Sequence, residues 1–347
     1  MEKPLSSKDA VDPSSCIVQH KDDIIRYQST SGGAFTAIAE FVISEGGVVF
    51  GANLEDDVVV RHIAVENVQD LEKFRNSKYV QSEIGDTFLQ AKKYLTEGRK
   101  VCFSGTPCQI NGLKKFLKKD YPNLLTVDFA CKAIPSPLIF KKYIEFRSKK
   151  SGDIKRVVFR DKKRGFSFCT LACYKDWQQQ KKGKSLYRRG SESDEWLRLF
   201  LRGYSTRLSC TSCNYQDCPR VSDISLGDIW DTTKITPKMN DNKGTTTVAI
   251  WTEKGKVCLD SIREKIRFYY YPFETSTWVK PRKNIKIPNY NRAQFYEDAK
   301  KLPVEKFFAK YAPNSLKVKI KQFSRVLIWK IHLHNIIRQC KHFIIHR

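Results

Sequence analysis

Hydrophobic residues recur at two alternating spacings in the first half of the chain. Residues 34–44 carry apolar side chains at helical spacing and follow a Ser-Gly-Gly loop, which predicts a helix. Short apolar runs predict strands at residues 47–52, 58–65, 100–105 and 124–130. Further helices are predicted at residues 68–75, 84–97, 107–119 and 137–149. This order predicts an α/β fold, α+β mixed in detail, in which helices flank a mixed sheet.

From residue 151 the pattern becomes more antiparallel and more basic. Residues 141–207 hold twenty Lys and Arg but only seven Asp and Glu. This excess of positive charge is half of the net charge of the chain. A smaller basic α+β segment is therefore expected beside the main sheet. The expected organisation is an extension at 1–25, an α/β region at 26–150, a basic α+β region at 151–265, a peripheral segment at 266–313 and a helical tail at 314–347.

Size and composition exclude several classes of protein. With 347 residues, 41% of them hydrophobic and 12% aromatic, the chain can bury a core, so wholesale disorder is excluded. It has no apolar run of about 18 residues and no signal-peptide block at the N-terminus, which predicts a soluble, cytoplasmic protein. A net charge of +26 predicts anionic partners.

The tail holds a basic amphipathic pattern. Residues 316–347 contain eight Lys and Arg, four His and no acid. Leu316, Ile320, Phe323, Leu327 and Ile331 fall near one face of a helix. One interpretation is a terminal helix packed on its own domain. The other, which we adopt as the prediction, is a peripheral helix that contacts an anionic membrane surface.

Cysteine is concentrated at a few places along the chain. Of eleven cysteines, Cys210 and Cys213 form a C-x-x-C hairpin, which supplies half of a tetrahedral zinc site or half of an iron–sulfur cluster. Cys108 opens a predicted helix and Cys131 follows a predicted strand, so both are candidates for the other half, with Cys218 in reserve. Ligand chemistry alone leaves zinc and the cluster equally open. The isolated cysteines are interpreted as small buried hydrophobes.

Three glycine turns are candidate ligand sites. Ser31-Gly32-Gly33 precedes a helix, where backbone amides can approach a phosphate, although a flexible cap explains it as well. Gly105-Thr106 is a strand-to-helix turn of the type at which α/β sheets bind ligands. Gly227-Asp228 ends a predicted strand two residues before Trp230, whose indole could stack on a planar cofactor or fill a core.

Five ordered motifs between residues 25 and 265 together resemble the beta subunit of coenzyme F(420) hydrogenases and dehydrogenases. They are Arg26-x-Gln28-Ser-Thr-Ser31-Gly32-Gly33-Ala-Phe35, Ser77-Lys78-Tyr79-Val80-Gln81-Ser82, Phe103-Ser-Gly105-Thr106-Pro107-Cys108-Gln109, Cys131-x3-Pro135-Ser136-Pro137, and Cys210-x2-Cys213 with Ser222-Asp223-Ile224-x2-Gly227-Asp228-x-Trp230. The resemblance implies an oxidoreductase or electron-transfer subunit that carries FAD and a [4Fe-4S] cluster, and it favours the cluster over zinc.

The resemblance also implies roles for residues. Cys108, Cys131, Cys210 and Cys213 would ligate the cluster. The flavin would lie where Ser31-Gly32-Gly33, residues 78–82 and Gly227-Asp228 converge. Lys78 and Arg26 would contact phosphate and Gln81 or Asp228 the ribityl chain or ring, with Ser82, Gly105 and Thr106 as further contacts. A redox partner protein or ferredoxin-like carrier would exchange electrons with it, and no nucleic acid is expected.

Two departures from the family pattern keep other functions open. Cys16 is the single cysteine ahead of the Ser-Gly-Gly motif, where many bacterial members carry a ferredoxin module. The family's Cys-His-Gly-x-Pro-Ser stretch reads Cys131-Lys132-Ala133-Ile134-Pro135-Ser136, so its His and Gly are replaced. A non-catalytic scaffold in a biosynthetic system, for example for polysaccharide, is one alternative. A zinc-stabilised nucleic-acid-binding protein is the other.

Overall fold

An eight-stranded mixed sheet forms the centre of the protein, for which a computed structural model describes residues 10–215, 219–278, 290–331 and 333. The strands of this sheet and of a second, smaller one are β1 (Ala10–His20), β2 (Val48–Leu54), β3 (Val60–Val65), β4 (Val101–Gly105), β5 (Leu124–Phe129), β6 (Arg156–Asp161), β7 (Thr170–Tyr174), β8 (Tyr187–Gly190), β9 (Ile224–Ile229), β10 (Thr245–Thr252) and β11 (Ile266–Tyr271). The mixed α/β class is confirmed.

Helices cover the sheet and connect its strands. They are α1 (Asp23–Gln28), α2 (Ala34–Ser44), α3 (Thr87–Thr96), α4 (Pro107–Leu117), α5 (Pro137–Ser151), α6 (Trp177–Lys181), α7 (Glu195–Leu201), α8 (Glu253–Ser261), α9 (Arg292–Lys301), α10 (Val304–Tyr311) and α11 (Leu316–Lys330). The sequence placed α2 at its observed bounds and α3, α4 and α5 within a few residues of theirs.

The strand order creates one edge at which most strands end. The order is β11-β1-β10-β9-β5-β4-β2-β3, and β2, β4, β5 and β9 are parallel to one another. β10 is antiparallel to both β9 and β1, so β1 runs in the same direction as β9. The carboxyl ends of β1, β2, β4, β5 and β9 therefore share one side of the sheet, where open α/β sheets bind their ligands. We call this side the carboxyl edge.

Within residues 10–25, the described part of the expected extension at 1–25, the structure corrects that expectation. Ala10–His20 is a strand between β10 and β11, and its residues 15–20 are buried. Its buried polar side chains have distant partners: Ser15 Oγ donates to a main-chain carbonyl of β11 at 2.8 Å, and Gln19 Nε2 donates to the Met239 carbonyl at 2.7 Å. These polar residues interrupt the apolar pattern, and their partners satisfy them only in the folded sheet.

The basic region contains the smaller sheet, in which β6, β7 and β8 are antiparallel as expected. The expected peripheral segment at 266–313 is corrected, because β11 pairs with β1 and α9 and α10 pack into a core with α5 and α7. Aromatic residues fill that core and are almost completely buried: Phe140, Trp196, Phe295, Phe307 and Phe308. The described parts of this segment, residues 266–278 and 290–313, therefore belong to the body of the protein.

The tail begins as a helix, as predicted. α11 covers residues 316–330, and no residue within it is fully buried. Residue 332 and residues 334–347 lie outside the described part of the chain. Among the described helices, none combines the length and the apolar composition needed to cross a membrane.

Candidate functional site

Two of the predicted ligands follow adjacent parallel strands. Cys108 lies in the first turn of α4, directly after β4, and Cys131 lies directly after β5. β4 and β5 pair up to their ends, where Gly105 stands opposite Asp128. Both cysteines therefore lie at the carboxyl edge. Cys108 is exposed, and Cys131 is partly buried.

The C-x-x-C hairpin is held next to Cys131 by main-chain contacts. Arg207 N donates to the Ile134 carbonyl at 2.9 Å, and Ile134 N donates to Cys210 Sγ at 3.4 Å. Cys213 follows in the same loop. We call Cys108, Cys131, Cys210 and Cys213 the thiol region.

Burial and neighbouring thiols both act on the pKa values of Cys131 and Cys210. Burial raises the pKa of Cys131, and the neighbouring thiols of Cys108, Cys210 and Cys213 raise it further. Burial also raises the pKa of Cys210, where the Ile134 N–H acts in the opposite direction. The hydrogen bond from Ile134 N to Cys210 Sγ brings the hairpin near Cys131, and the pairing of β4 with β5 brings Cys108 to the same edge.

The thiol region is not arranged around a common centre. Within the described residues, no three His, Cys, Asp or Glu side chains form a metal-binding group. The ligand assignment therefore stays a prediction, and Cys218 lies outside the described residues. A set of four thiols nevertheless fits a [4Fe-4S] cluster. Ser205 and Thr206 precede the C-x-x-C hairpin in the chain, and their hydroxyls are buried and lack a hydrogen-bond partner within the described residues. Two hydrogen-bond donors therefore lie near the hairpin.

The three segments predicted to converge on a flavin do lie together. Thr30 Oγ1, next to Ser31, is 2.9 Å from Ser77 Oγ. Arg160 Nε donates to Tyr79 Oη at 2.7 Å, and the same guanidinium forms an ion pair with Asp228. Residues 78–82 therefore connect the Ser31 turn with the end of β9. Gln81 N donates to the Pro135 carbonyl at 3.1 Å, which also brings this segment to the chain that follows Cys131.

Packing within the protein accounts for the two glycines of the Ser31 turn. A Cβ atom on Gly32 would lie 2.2 Å from the Val18 carbonyl oxygen and 2.6 Å from Thr246 N. Gly33 has φ +87°, a conformation that favours glycine. Ser31 Oγ donates to the Thr245 carbonyl at 2.5 Å. The turn is therefore fixed against β1 and β10, and its glycines are required without any phosphate.

Two cations that were predicted to contact phosphate bind groups of the chain itself. Arg26 is fully buried, forms an ion pair with Asp241 at 2.6 Å and donates to the Gly244 carbonyl. Lys78 Nζ donates to the carbonyls of Lys73 and Arg75 at 2.8 and 3.1 Å. Desolvation lowers the pKa of Lys78 well below its ordinary value. Neither side chain, as placed here, fits the phosphate role.

Arg160, which the sequence did not single out, organises the part of the edge around Tyr79 and Asp228. Its guanidinium lies 4.6 Å from the Trp230 ring centroid, and the Trp230 ring stacks on Phe166 at 4.5 Å. Trp230 is 51% exposed, so one planar face is available to a ligand. We call Arg160, Tyr79, Asp228, Trp230 and Phe166 the arginine region.

A small hollow adjoins the arginine region and fits a polar ligand. Phe166, Trp230, Thr232, Asn242 and Gly244 are among the residues that line it. Thr232 Oγ1 is buried and has no hydrogen-bond partner within the described residues. A buried hydroxyl without a partner is costly, and a bound ligand would satisfy it. This hollow is therefore a candidate contact point for a polar group of a ligand.

The remaining predicted contacts support the thiol region from inside. Thr106 and Gln109 form a capping box at the start of α4. Gln109 Nε2 donates to Ser82 Oγ at 3.0 Å. A Cβ atom on Gly105 would lie 3.1 Å from Gln109 Oε1. These residues fix the turn that carries Cys108.

The sequence also missed Lys162. Its Nζ donates to the carbonyls of Arg26, Ser31 and Lys243 at 2.5, 2.9 and 2.8 Å. Burial lowers the pKa of Lys162 to about 7, and Arg26 lowers it as well. The basic run of residues 160–164 was visible in the sequence, but it was counted there only as part of the charge excess.

Main-chain contacts join the two regions. Ala130 N, immediately before Cys131, donates to the Leu226 carbonyl of β9 at 2.8 Å. A Cβ atom on Gly227 would lie 3.2 Å from Ala130 Cβ. The strand that carries Asp228 therefore touches the segment that carries Cys131.

Known proteins share both the sequence and the fold of this chain. Residues 98–275 match the family model for the C-terminal part of the coenzyme F(420) hydrogenase/dehydrogenase beta subunit. The coenzyme F(420)-dependent sulfite reductase of Methanocaldococcus jannaschii is 36% identical over 97 residues, which are 27% of this chain and 14% of that protein. The chain thus matches about a seventh of that relative's length.

The fold resembles a chain of the F(420)-reducing [NiFe] hydrogenase complex from Methanosarcina barkeri. The TM-score is 0.52 at 16% sequence identity, and the match covers 90% of this chain and 97% of that chain. The family match includes β4, β5, β9, β10 and all four cysteines of the thiol region. The resemblance expected from the five motifs is confirmed: the chain belongs to the family of coenzyme F(420) hydrogenase/dehydrogenase beta subunits, an electron-transfer family of oxidoreductases.

Proposed function

We propose that the protein is an FAD- and [4Fe-4S]-dependent electron-transfer subunit or oxidoreductase. The observation that supports this proposal is that four cysteines lie on three separate stretches of chain at or beside the carboxyl edge, where Ile134 N donates to Cys210 Sγ close to Cys131. A disulfide framework does not explain them, because all four are free thiols. A four-thiolate site of this kind is the usual ligand set of a [4Fe-4S] cluster.

In this proposal the flavin binds at the arginine region, next to the thiol region. Trp230 offers a planar face, Asp228 and Gln81 offer polar groups, and Thr232 offers a buried hydroxyl. Arg160 holds Asp228 and Tyr79 in position. The Ser31 turn supports this region through β10, since Gly32 N donates to Thr246 Oγ1 at 2.9 Å.

When bound, a flavin exchanges electrons in pairs or singly and a cluster takes them singly, so the two together join two-electron and one-electron chemistry. The residues of this chain supply position and charge. The contacts between β9 and Ala130 keep the two regions adjacent. The Arg160 guanidinium, which is paired with Asp228, lies 4.6 Å from the Trp230 ring centroid and holds the exposed ring in position.

A redox partner protein or ferredoxin-like carrier would dock at the thiol region. Three exposed leucines lie in the segments that carry or flank its cysteines: Leu138, Leu201 and Leu208. Arg202 and Arg207 add positive charge there. An apolar patch with a basic rim fits an acidic carrier, whose association would weaken as salt concentration rises.

Anaerobic purification of the full chain tests the proposal. We expect flavin in the supernatant after acid precipitation, together with iron and acid-labile sulfide in equal amounts. We also expect a broad visible absorbance that dithionite bleaches. Zinc in place of iron would contradict the cluster. Protein that is folded but holds neither flavin nor metal would contradict the whole proposal and favour the non-catalytic scaffold.

A further inference from the structure

The α11 helix leaves an apolar stripe uncovered on the surface of the protein. The stripe consists of residues three or four positions apart that are 44–72% exposed: Leu316, Ile320, Phe323, Leu327 and Ile331. This spacing places all five on one face of the helix. Burying such a stripe would remove a large apolar area from water, so the face has the character of a binding surface.

Contacts on the opposite face of α11 fix the direction of the stripe. Arg325 forms an ion pair with Glu192 at 2.5 Å and donates to the Ser167 carbonyl at 3.3 Å. The Arg164 guanidinium lies 5.4 Å from the Trp329 ring centroid. The helix is therefore attached to the body through Arg325 and Trp329. The stripe faces away from these contacts and toward solvent.

Positive charge surrounds the stripe. Lys317 lies on one flank and Lys319 and Lys330 lie on the other, and all three are exposed. Residues 316–331 contain no acid. A second basic group adjoins the helix on the body, because Arg164 lies near Arg188, Arg189 and Arg325 closely enough for their charges to act on it.

We propose that α11 binds the surface of an anionic lipid bilayer, with the helix axis parallel to the membrane and the apolar stripe inserted among the acyl chains. The helix is about 22 Å long at 1.5 Å per residue, which is too short to span the hydrocarbon core. An apolar stripe between lysines on a helix without acids matches an interfacial helix. This proposal goes beyond the electron-transfer function and does not depend on it.

The test is flotation of the full chain with two kinds of vesicle. One contains phosphatidylcholine alone, and the other contains phosphatidylcholine with about one third phosphatidylglycerol. We expect binding to the anionic vesicles that falls at least tenfold as salt rises from low to physiological concentration, and little binding to the neutral ones.

Two variants separate the apolar and the charged contributions. Ile320→Ser with Phe323→Ser should reduce binding to the anionic vesicles at least tenfold, whereas the matched exposed pair Leu89→Ser with Val257→Ser should leave it unchanged. Replacing Lys317, Lys319 and Lys330 by Gln should weaken binding at least tenfold. The same change at the exposed Lys93, Lys256 and Lys301 should weaken it less than threefold.

Several outcomes would overturn the proposal. Equal binding to neutral and anionic vesicles would show that charge does not contribute to binding. Absence of binding to both would show that α11 does not bind a membrane. Sedimentation of the chain without lipid provides the remaining check. If it shows a dimer that Ile320→Ser with Phe323→Ser dissociates, a second copy of the protein covers the stripe instead.

Discussion

The thiol region and the arginine region lie on the same edge of one sheet, yet their polar groups are used differently. Around the arginine region, Arg26, Lys78 and Lys162 are engaged by carbonyls or a carboxylate of the chain itself. In the thiol region, Cys108 is exposed and Cys131 is surrounded by other thiols that raise its pKa. The fold satisfies the first set of groups with its own carbonyls and carboxylates, whereas Cys131 and Cys210 in the second set have other thiols as neighbours.

This difference shows which sequence features indicate a ligand. A cation that donates to several main-chain carbonyls stabilises the fold. Its presence in a recognisable sequence motif is therefore explained without a bound phosphate. Thiols that crowd together at a sheet edge gain nothing for stability as neighbours, because each disfavours ionisation of the others. A metal ion or cluster would reverse that effect by binding the thiolates. The thiol region is therefore the stronger indication of chemistry.

The largest expected effect comes from removing one thiol. Cys131→Ser should lower the iron content of anaerobically purified protein from about four atoms per chain to nearly none, because Cys131 stands among all the other ligands. Iron and labile sulfide are measured together. Cys258→Ala, a buried cysteine in the main core, is the control and should keep its iron. An unchanged iron content in the Cys131→Ser variant would show that this thiol is not a ligand, and the thiol region would then be no stronger an indication of a ligand than the arginine region.

The second effect concerns the glycine turn beside the arginine region. Gly32→Ala should lower the free energy of unfolding by about 3 kcal/mol or more, because its Cβ would lie 2.2 Å from a backbone oxygen. The measurement is urea unfolding of flavin-free protein. Gly112→Ala, inside α4, has its nearest neighbour at 3.6 Å and should be neutral or stabilising by up to about 1 kcal/mol. A Gly32 variant of normal stability that lacks only flavin would show that the turn serves the ligand.

A third effect is pH-dependent and lies beside the thiol region. Burial lowers the pKa of His62 to about 4 from its ordinary value of 6.5. As pH falls, His62 is therefore protonated in the unfolded chain before it is protonated in the folded protein. The free energy of unfolding should fall by about 3 kcal/mol between pH 6.5 and pH 4. His62→Phe keeps the stack on Phe103, at 5.6 Å in the native protein, without a titrating group.

Urea unfolding at several pH values measures this difference. The gap between native protein and the His62→Phe variant should shift in favour of the variant below pH 6.5. The variant gains relative stability because it lacks the imidazole that takes up a proton when the native protein unfolds. Parallel pH profiles for the two proteins would contradict the assignment of acid sensitivity to this side of the edge.

The smallest expected effect is on flavin affinity. Trp230→Ala should weaken FAD binding to flavin-free protein by about tenfold, since it removes the exposed ring that Arg160 and Phe166 hold in place. Stability should change little, because the indole is half exposed. Tyr269→Ala, on β11 and 48% exposed, is the matched control. Unchanged affinity in a fluorescence titration would place the flavin elsewhere.

Local signals explain the parts of the fold that the sequence predicted well. α4 begins with Pro107 after Thr106, and its cap is completed by Gln109 within the same turn. The cysteines were found in the same way, because thiol spacing and strand ends are visible along the chain. Such features depend on residues only a few positions apart, so they can be recognised before the fold is known.

Distant partners explain what the sequence did not reveal. Arg160 acts through Tyr79 and Asp228, which are 81 and 68 positions away in the chain. Lys162 acts through carbonyls as far as 136 positions away. A charged residue whose partners are so remote looks like an ordinary surface cation in the sequence. For the same reason Arg26 was expected to contact a phosphate, although its partner in the fold is Asp241.

The position of β1 has a consequence for how the protein is made. This strand is synthesised before the other described strands, but its partners β10 and β11 begin at Thr245 and Ile266. Ladder pairs such as Val18 with Thr246 therefore join residues more than two hundred positions apart. Loop closure over such a length slows folding. Until most of the chain has left the ribosome, both edges of β1 are unpaired and open to association with other chains. Nascent chains that stop before β10 should therefore require a chaperone, whereas chains that include β10 and β11 can pair both edges of the strand.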